Sequence, residues 1–222
     1  LITGGAGFIG SNFVHYMLAN TPHAIVNLDS LTYAGNLENL RGIPPGNPRY
    51  HFVHGAIQNK ELVEYVCRLY NVTGVINFAA ESHVDRSIMS AAPFVDTNVQ
   101  GTLALLEVAK TLKLGRYVQV STDEVYGSLG AEGLFTEETP LQPNSPYSAS
   151  KAASDMLVRA FVHTHGLPAL TTRCCCRKAW PSWAGGGCRS SRSRRWRLPR
   201  GACAPAWRRA APAAARGSSW SC

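Results

Sequence analysis

Short apolar segments alternate with amphipathic segments along residues 1–174, and this alternation restricts the folds open to the chain. Strands are expected at residues 1–3, 24–29, 51–54, 74–78, 117–121 and 169–172, and helices at residues 11–19, 60–70, 96–112 and 145–165. Successive strands that are separated by helices run parallel, with right-handed crossovers. The pattern therefore predicts an α/β fold in which helices cover both faces of a doubly wound parallel sheet.

Composition changes abruptly after Cys174. Residues 1–174 contain 11 basic and 14 acidic residues and so carry a net charge of −3, whereas residues 175–222 contain 11 basic and no acidic residues. The tail uses only nine residue types, which G- and C-rich codons encode, and contains all five Trp. We interpret it as an out-of-frame translation product and expect disorder. The predicted organisation is one folded domain, 1–174, and a low-complexity basic tail, 175–222.

Two functional interpretations of the tail are weaker. Arginines such as Arg192, Arg194 and Arg195, near tryptophans, would suit a nucleic-acid-binding arm. The adjacent cysteines 174–176 would suit a metal, but neighbouring thiolates chelate poorly and no histidine accompanies them. We therefore expect no nucleic-acid partner and no metal. The chain has no apolar run long enough to cross a membrane, and two cysteines in residues 1–174 are typical of a cytoplasmic protein.

A glycine-rich loop connects the first strand to the first helix. Gly4, Gly7 and Gly10 allow a tight turn and close approach of the backbone to a pyrophosphate, and the helix N-terminus offers free N–H groups. Asp29 follows Gly10 by 19 residues, at the end of the second strand. A carboxylate there can bind the adenosine ribose and repels a 2′-phosphate. Although a ligand-free turn with a capping aspartate is the alternative, the combination predicts a Rossmann-type domain that binds NAD.

Tyr147 and Lys151 are four residues apart at the start of a helix, so their side chains share one face. A free phenol, with a pKa of about 10, is a poor base at neutral pH. A neighbouring ammonium group should lower that pKa. Tyr147 is therefore predicted to be a catalytic base, and Lys151 to activate it and to hold the nicotinamide ribose. An ordinary surface pair is the alternative.

Thr122, Asp123 and Glu124 follow the fifth strand, at the sheet edge where open α/β sheets bind ligands. Thr122 can hydrogen-bond the substrate hydroxyl that Tyr147 deprotonates. Adjacent carboxyl groups on a loop are usually solvated. In a dry site, however, their pKa values can separate and provide one acid and one base, which elimination of water requires.

These motifs resemble the extended short-chain dehydrogenase/reductases that act on nucleotide sugars. The stretches at 29–40, 79–88 and 121–127 are similar to the dTDP-glucose 4,6-dehydratases of that family, and the resemblance extends from residue 1 to about Cys174. It implies dehydration of dTDP-glucose to dTDP-4-keto-6-deoxy-glucose with internally recycled NAD. It also implies a homodimer, formed through the helices at 96–112 and 145–165.

The resemblance also assigns roles to individual residues. Tyr147 would take the proton of the sugar 4-hydroxyl, Glu124 would take the C5 proton, and Asp123 would protonate the departing 6-hydroxyl. Ser82 and Thr122 would contact the sugar. Besides the glycine loop, Tyr147 and Lys151, the implied NAD contacts are Phe8, Ile9, Asp29, Ser30, Leu31, Thr32, Ala56, Ile57, Ala79, Ala80, Ser82 and Thr97.

The chain departs from the family pattern in two places. Ala56 stands where the family usually has an acid that meets the adenine, which would cost about 1 kcal/mol of binding for one lost hydrogen bond. After Cys174 the family's substrate domain does not follow, so we expect the chain as given to be inactive. The alternatives are another nucleotide-sugar epimerase, dehydratase or decarboxylase, or an inert NAD-binding fragment. The adjacent acids Asp123 and Glu124 argue against an epimerase.

The interpretation of the tail predicts a result at the DNA level. Adding or removing one or two bases near codon 174 should open a reading frame that encodes a second, mixed α/β domain. Sequencing this region and translating it in all three frames checks the prediction. If none of the frames encodes such a domain, the tail is not a frameshift product.

Overall fold

The computed structural model describes residues 1–128, 135, 136 and 138–174. Six strands form one sheet: β1 (Ile2–Thr3), β2 (Ile25–Asp29), β3 (Tyr50–His54), β4 (Gly74–Asn77), β5 (Arg116–Thr122) and β6 (Ala169–Cys174). All pairs are parallel, and the strand order is β3-β2-β1-β4-β5-β6. The predicted doubly wound parallel sheet of Rossmann type is thereby confirmed. The interpretations of the tail concern residues outside the described ranges.

The helices are α1 (Phe8–Asn20), α2 (Lys60–Leu69), α3 (Val84–Met89), α4 (Ala92–Phe94), α5 (Gly101–Thr111) and α6 (Pro146–His165). A π-helical segment, Val95–Gln100, joins α4 to α5, and two 3-10 helices occupy Leu37–Leu40 and Asp123–Tyr126. α6 begins with a capping box in which Ser145 and Ser148 satisfy each other's backbone amides, and it ends at Gly166 in the left-handed conformation.

The predicted elements differ from the observed ones in several places. The first helix begins at Phe8, inside the glycine loop, rather than at Ser11. The single helix predicted for 96–112 is a π-helical segment followed by α5. The 3-10 helix at Leu37–Leu40 lies in a predicted loop, and helix α3 lies where no strand or helix was predicted. These elements are short, and periodicity in the sequence becomes visible only over longer segments.

Helices pack on both faces of the sheet. On one face α1 buries Val14 against Ile2 and Ile25. On the other, α2, α5 and α6 contribute Val63, Leu105, Val158 and their neighbours to a larger core. The sequence suggested that β4 is buried on both faces, but only Val75 and Asn77 are buried, while Gly74 and Ile76 are half-buried.

A chain of hydrogen bonds crosses the centre of the sheet. The Thr3 hydroxyl donates to Asn77 Oδ1 at 2.6 Å, and the Asn77 amide donates to Gln119 Oε1 at 3.0 Å. Tyr117 also donates to Gln119 Oε1, at 2.8 Å. All four side chains are buried. Buried polar groups that are satisfied in this way favour one register of β1, β4 and β5, so the strand ends that carry the predicted site stay aligned.

Candidate active site

The predicted site residues converge at the carboxyl edge of the sheet. The glycine loop follows β1, Asp29 ends β2, Ala56 follows β3, and Ala79 follows β4. Thr122 ends β5, and the 3-10 helix behind it carries Asp123 and Glu124. Because all six strands are parallel, these segments lie along one edge, and this edge is where ligands of open α/β sheets bind.

The glycine loop is packed too closely for larger residues. Gly4 has a φ of +70°, and a Cβ there would lie 2.6 Å from the backbone nitrogen of Ala79. At Gly10 a Cβ would collide with the Gly4 carbonyl oxygen. The Gly7 amide donates to that same oxygen at 3.2 Å, which closes the turn before α1. The loop therefore requires glycine for its own conformation, apart from any ligand.

The N-terminus of α1 is suited to an anion. Gly7 caps the helix without a side-chain hydrogen bond, and the first turn has no acidic residue. The amides of this turn and the positive end of the helix dipole are therefore available to a phosphate. Phe8 and Ile9 are 81% and 57% exposed, which is unusual for large apolar side chains. Both properties fit a dinucleotide lying across this loop.

Asp29 already holds two backbone amides. Its Oδ2 accepts a hydrogen bond from Ala6 N at 2.8 Å, and its Oδ1 accepts one from Leu31 N at 2.8 Å. A carboxylate oxygen can accept more than one hydrogen bond, so this arrangement leaves capacity for ribose hydroxyls. Asp29 therefore orients the glycine loop, a structural role that the sequence did not indicate.

The signature stretches at 29–40 and 79–88 contact each other. The Ser82 amide donates to the Tyr33 hydroxyl at 3.3 Å, and the Arg86 guanidinium lies 4.2 Å from the centre of the Tyr33 ring. Asn36 and Asn39 both donate to the Ala6 carbonyl, at 3.0 and 2.9 Å. Residues of the 29–40 stretch therefore bind the glycine loop through the Ala6 carbonyl, and residues of the 79–88 stretch bind the 29–40 stretch through Tyr33.

Two of the implied NAD contacts are already engaged with the protein. The Ile57 side chain is buried and packs against Gly101, so a contact with NAD would come from its backbone. Thr97, in the π-helical segment, accepts a hydrogen bond from the Gln58 amide at 3.1 Å. Ser30, Leu31, Thr32, Ala56, Ala79 and Ala80 lie beside them at the same edge, and their contacts with NAD stay predictions.

Tyr147 lies beside Thr122, Asp123 and Glu124, as the sequence predicted. The tyrosine side chain is buried, and the Thr122 side chain is near enough to its hydroxyl to favour the phenolate. Phe94 packs edge-on against the ring, with 6.3 Å between the centroids. Burial raises the pKa of Tyr147 to about 12, and the negative charges of Glu124 and Asp123 act in the same direction.

Lys151 lies on the same helix but does not lower the pKa of the phenol. Its ammonium donates to the Val120 carbonyl at 2.7 Å, and its side chain is buried. Burial lowers the pKa of Lys151 to about 8, against the opposing effect of Asp155. The predicted lowering of the Tyr147 pKa is therefore wrong for this structure. The reason is that burial disfavours both charged forms, and the nearby carboxylates further disfavour the phenolate.

The two acids that follow Thr122 lie in the 3-10 helix at this edge. The Glu124 amide donates to Thr122 Oγ1 at 3.3 Å, which begins the 3-10 helix. Partial burial and the neighbouring Asp123 charge raise the pKa of Glu124. A carboxylate with a raised pKa is a stronger base, as the expected removal of a carbon-bound proton requires.

Sequence reasoning did not identify Asn98, which lies in the π-helical segment and is buried. Its Oδ1 accepts from Glu81 N at 2.8 Å, and its Nδ2 donates to Glu81 O at 3.0 Å and to Ser150 Oγ at 2.8 Å. It thereby joins the loop after β4 to the helix that carries Tyr147 and Lys151. The sequence offered no signal for it, because Asn98 lies among other polar residues, Asp96, Thr97 and Gln100.

The described part of the chain lacks two other kinds of site. None of its helices combines the length and apolarity needed to cross a bilayer. Its His, Cys, Asp and Glu side chains also do not cluster in threes as a metal-binding site would require.

The strand order, the glycine loop and the Tyr147/Lys151 pair define a short-chain dehydrogenase/reductase of the extended type. Comparison with protein families makes this more specific, because the family described as GDP-mannose 4,6 dehydratase matches residues 1–179. The chain belongs to that family.

The similar proteins of known name include a glycan biosynthesis protein and dTDP-glucose 4,6-dehydratases. The chain is 54% identical over 175 residues to the low-salt glycan biosynthesis protein Agl12 of Haloferax volcanii, covering 79% of this chain and 55% of the relative. It is 55% identical over 183 residues to a dTDP-glucose 4,6-dehydratase of Xanthomonas campestris, covering 78% and 52%. The chain thus spans about half the length of the relatives it matches.

Solved structures agree. A dTDP-glucose 4,6-dehydratase from Bacillus anthracis in complex with NAD is 55% identical, with a TM-score of 0.71, over 78% of this chain and 53% of that one. One from Streptomyces venezuelae, also with NAD bound, is 52% identical, with a TM-score of 0.75, over 78% and 54%. A UDP-glucose 4-epimerase from Thermotoga maritima is 29% identical, with a TM-score of 0.70, over 78% and 53%. The fold is thus shared by dehydratases and epimerases.

The low pKa of Lys151 predicts how stability changes with pH. The folded chain loses the Lys151 proton near pH 8, whereas the unfolded chain keeps it to about 10.5. Between these values the unfolded state binds more protons, so Lys151 makes the free energy of unfolding rise with pH, by at most about 1.4 kcal/mol per pH unit. The free energy of unfolding, measured with urea from pH 8 to 10, should rise less steeply with pH in Lys151→Met than in wild type.

Lys110→Met is the matched control, because Lys110 is an exposed lysine on α5. It should keep the wild-type slope, even if its stability at a single pH changes. Equal slopes in wild type and Lys151→Met would contradict the placement of Lys151.

Proposed function

We propose that this chain is the cofactor-binding part of an NAD-dependent dTDP-glucose 4,6-dehydratase. The observation that carries the proposal is the grouping of Thr122, Asp123 and Glu124 around the hydroxyl of Tyr147. Dehydrogenation of an alcohol needs only a base at that hydroxyl, whereas elimination of water needs an additional base and an acid. This edge of the sheet provides all three groups.

NAD is the cofactor proposed for this site. The uncapped N-terminus of α1 and the exposed Phe8 and Ile9 fit its pyrophosphate side, and Asp29 fits the adenosine ribose. When bound, NAD would accept hydride from C4 of the sugar and return it to C6. The complexes of two dTDP-glucose 4,6-dehydratases with NAD support this assignment.

The protein groups divide the proton transfers among them. Tyr147, which is neutral in this structure, would take the proton of the 4-hydroxyl as the phenolate, while Thr122 holds that hydroxyl in place. The positive charges of Lys151 and of a bound nicotinamide ring favour the phenolate. Glu124 then removes the C5 proton, which the 4-keto group has made acidic, and Asp123 protonates the departing 6-hydroxyl. Lys151, held by the Val120 carbonyl, has further N–H donors for the nicotinamide ribose.

The sugar half of the substrate is proposed to lie between Ser82 and Thr122, at the same edge. A UDP-glucose 4-epimerase shares the fold, but its lower identity, 29% against 52–55%, favours a dehydratase. The described residues present no recognised site for the nucleotide half, so we propose that the 222-residue chain does not turn over dTDP-glucose. An NAD-binding fragment without turnover is the second candidate for this chain.

Assembly and location are also proposals. We propose a homodimer formed through α5 and α6, because Met156 on α6 is 49% exposed and Leu103 and Leu157 are only partly buried. The free, buried thiol of Cys67 is in keeping with a cytoplasmic location. We assign no nucleic-acid partner, because the domain itself is slightly acidic.

The carboxylate of Asp29 predicts that the chain prefers NAD to NADP. Titration of the 222-residue chain with each cofactor, followed by calorimetry, should give at least a roughly tenfold lower Kd for NAD, because the 2′-phosphate would meet the carboxylate. Asp29→Asn should bind both cofactors less well, since it weakens the contacts with Ala6 and Leu31, and should reduce their ratio. Equal or tighter binding of NADP by the wild type would count against the proposal.

The mechanism is tested on a full-length, in-frame version given dTDP-glucose. Tyr147→Phe should form neither reduced cofactor nor product, because the first oxidation lacks its base. Asp123→Asn and Glu124→Gln should still form reduced cofactor, visible by absorbance in a single turnover, but little 4-keto-6-deoxy sugar. Losses in turnover of roughly 10²–10⁴-fold are expected for such groups.

Glu64→Gln provides a control acid, because Glu64 lies on α2 in an exposed ion pair with Arg68, and it should turn over normally. If all three site variants failed at the same step, the division of roles would be wrong. Formation of 4-keto-6-deoxy sugar by the 222-residue chain would show that residues 1–174 contain more of the substrate site than proposed.

A further inference from the structure

A buried ion pair lies directly behind the predicted catalytic edge. Asp155 follows Lys151 by one turn of α6, and its side chain is only 3% exposed. Its Oδ2 accepts from the Ser121 hydroxyl at 3.0 Å and from Arg173 Nε at 3.0 Å, with Arg173 Nη2 at 2.9 Å. The pair thus connects α6 with the ends of β5 and β6.

Arg173 extends this connection to the acids of the site. Its Nη1 donates to the Tyr126 hydroxyl at 2.9 Å, and its guanidinium lies 5.0 Å from the centre of the Tyr126 ring. Tyr126 ends the 3-10 helix that contains Asp123 and Glu124. One ion pair therefore fixes the segment with the two acids relative to the helix with Tyr147 and Lys151.

A contribution to the stability of the fold does not by itself explain why an ion pair occupies this position. Removing two charges from water costs several kcal/mol for each ion, and apolar side chains of similar volume often serve a fold equally well. The arrangement is also incomplete, because Asp155 Oδ1 is buried without a hydrogen-bond partner among the described residues. A charge kept at such a cost suggests a role in which the charge itself matters.

The residue on which this charge acts is Lys151, which lies one turn before Asp155 on α6. Charged groups on the elements that surround α6 are Arg116 on β5, Asp123 and Glu124 on the 3-10 helix, Arg173 on β6, Asp96 in the π-helical segment, Asp85 and Arg86 on α3, and Glu107 and Lys110 on α5. Asp96 is bonded to Gln58, and Glu107 to Lys60. Asp155 is the group whose charge opposes the effect of burial on the pKa of Lys151. Arg173 in turn opposes the effect of burial on the pKa of Asp155.

We propose that Asp155 and Arg173 are positioning residues that keep Lys151 in its charged form and hold the Asp123–Tyr126 segment against α6. The proposal rests on the proposed function, since it presupposes that Lys151 acts at the cofactor. Neither residue needs to touch the substrate or the cofactor. Asp155 acts through Lys151, and Arg173 acts through Asp155 and Tyr126.

The test compares Asp155→Asn with wild type in the 222-residue chain. Lysine labelled with ¹³C at the ε position allows Lys151 to be titrated by NMR, and Lys151→Met identifies its signal. Asp155→Asn should lower the pKa of Lys151 and raise its ratio of neutral to charged form roughly tenfold at a given pH, the effect expected of one nearby opposite charge. Asp155→Glu should restore most of the wild-type titration. Glu107→Gln, which breaks the exposed ion pair with Lys60, should leave it unchanged.

A second variant covers the case in which Asp155→Asn does not fold, because that change removes the charged carboxylate that Arg173 contacts. The double variant Asp155→Leu/Arg173→Met removes both charges together, a change that folds often tolerate. It should lower the pKa of Lys151 as well, since the charge that acts on Lys151 is that of Asp155. Identical Lys151 titrations in wild type and in whichever of these two variants folds would overturn the proposal and leave the pair a purely structural role.

NAD binding distinguishes this proposal from the proposed function. If charged Lys151 holds the nicotinamide ribose, NAD affinity falls as pH rises through the pKa of Lys151, and in Asp155→Asn this fall should begin at lower pH. A wild-type chain that does not bind NAD would refute the proposed function, whereas the Lys151 titration would still decide the role of the pair. If a folded Asp155→Asn variant and the wild type showed the same pH profile of NAD binding, the proposed role of the ion pair would be contradicted.

Discussion

The site depends on one buried amide. Asn98 binds both backbone groups of Glu81 and the hydroxyl of Ser150, and Ser154 donates to the Asn98 carbonyl at 2.6 Å. The loop after β4, which carries the predicted cofactor contacts, is thereby fixed to α6. Asn98 lies in a π-helical segment, and such irregular turns often occur at functional sites. Two parts of the site that are separated by about seventy residues of sequence, from Glu81 to Ser150, are held in one geometry.

Most of the fold could be predicted from residue patterns, because the strands and long helices repeat with regular periods. The glycine loop, Asp29, Thr122 and Tyr147 also converge as predicted, because parallel strands bring their carboxyl ends to one edge. The π-helical segment was not predictable in this way. It depends on where Asn98 must point, and that is decided by partners in the loop after β4 and in α6, far from it in sequence.

The same limit applies to the groups that support the site. Asp155 and Arg173 are ordinary residues in the sequence, one on a helix and one on a strand, and nothing in the spacing between them indicates an ion pair. Their relation arises from the pairing of β5 with β6, which sets Ser121 opposite Arg173, and from the packing of α6 behind those strands. The catalytic motifs are visible in sequence because they follow a strand directly or repeat at helical spacing, whereas their supports become visible only through tertiary packing.

The pKa values of Tyr147 and Lys151 are the property that the sequence predicted least well. In solution the lysine pKa, 10.5, lies slightly above the tyrosine pKa of 10.0, but in the fold Lys151 is near 8 and Tyr147 near 12. The rule that an ammonium group lowers the pKa of a phenol counts the charge of the neighbour and omits the burial that both groups share. Burial disfavours both the phenolate and the ammonium, so it raises the pKa of Tyr147 and lowers that of Lys151. The order of the two pKa values is therefore reversed, and the difference between them becomes larger. At neutral pH the edge therefore holds a neutral Tyr147 and a charged Lys151, and of the two groups Lys151 gives up its proton first. The positive charge on Lys151 is thus the quantity that the surrounding structure has to maintain, and Asp155 is placed to maintain it.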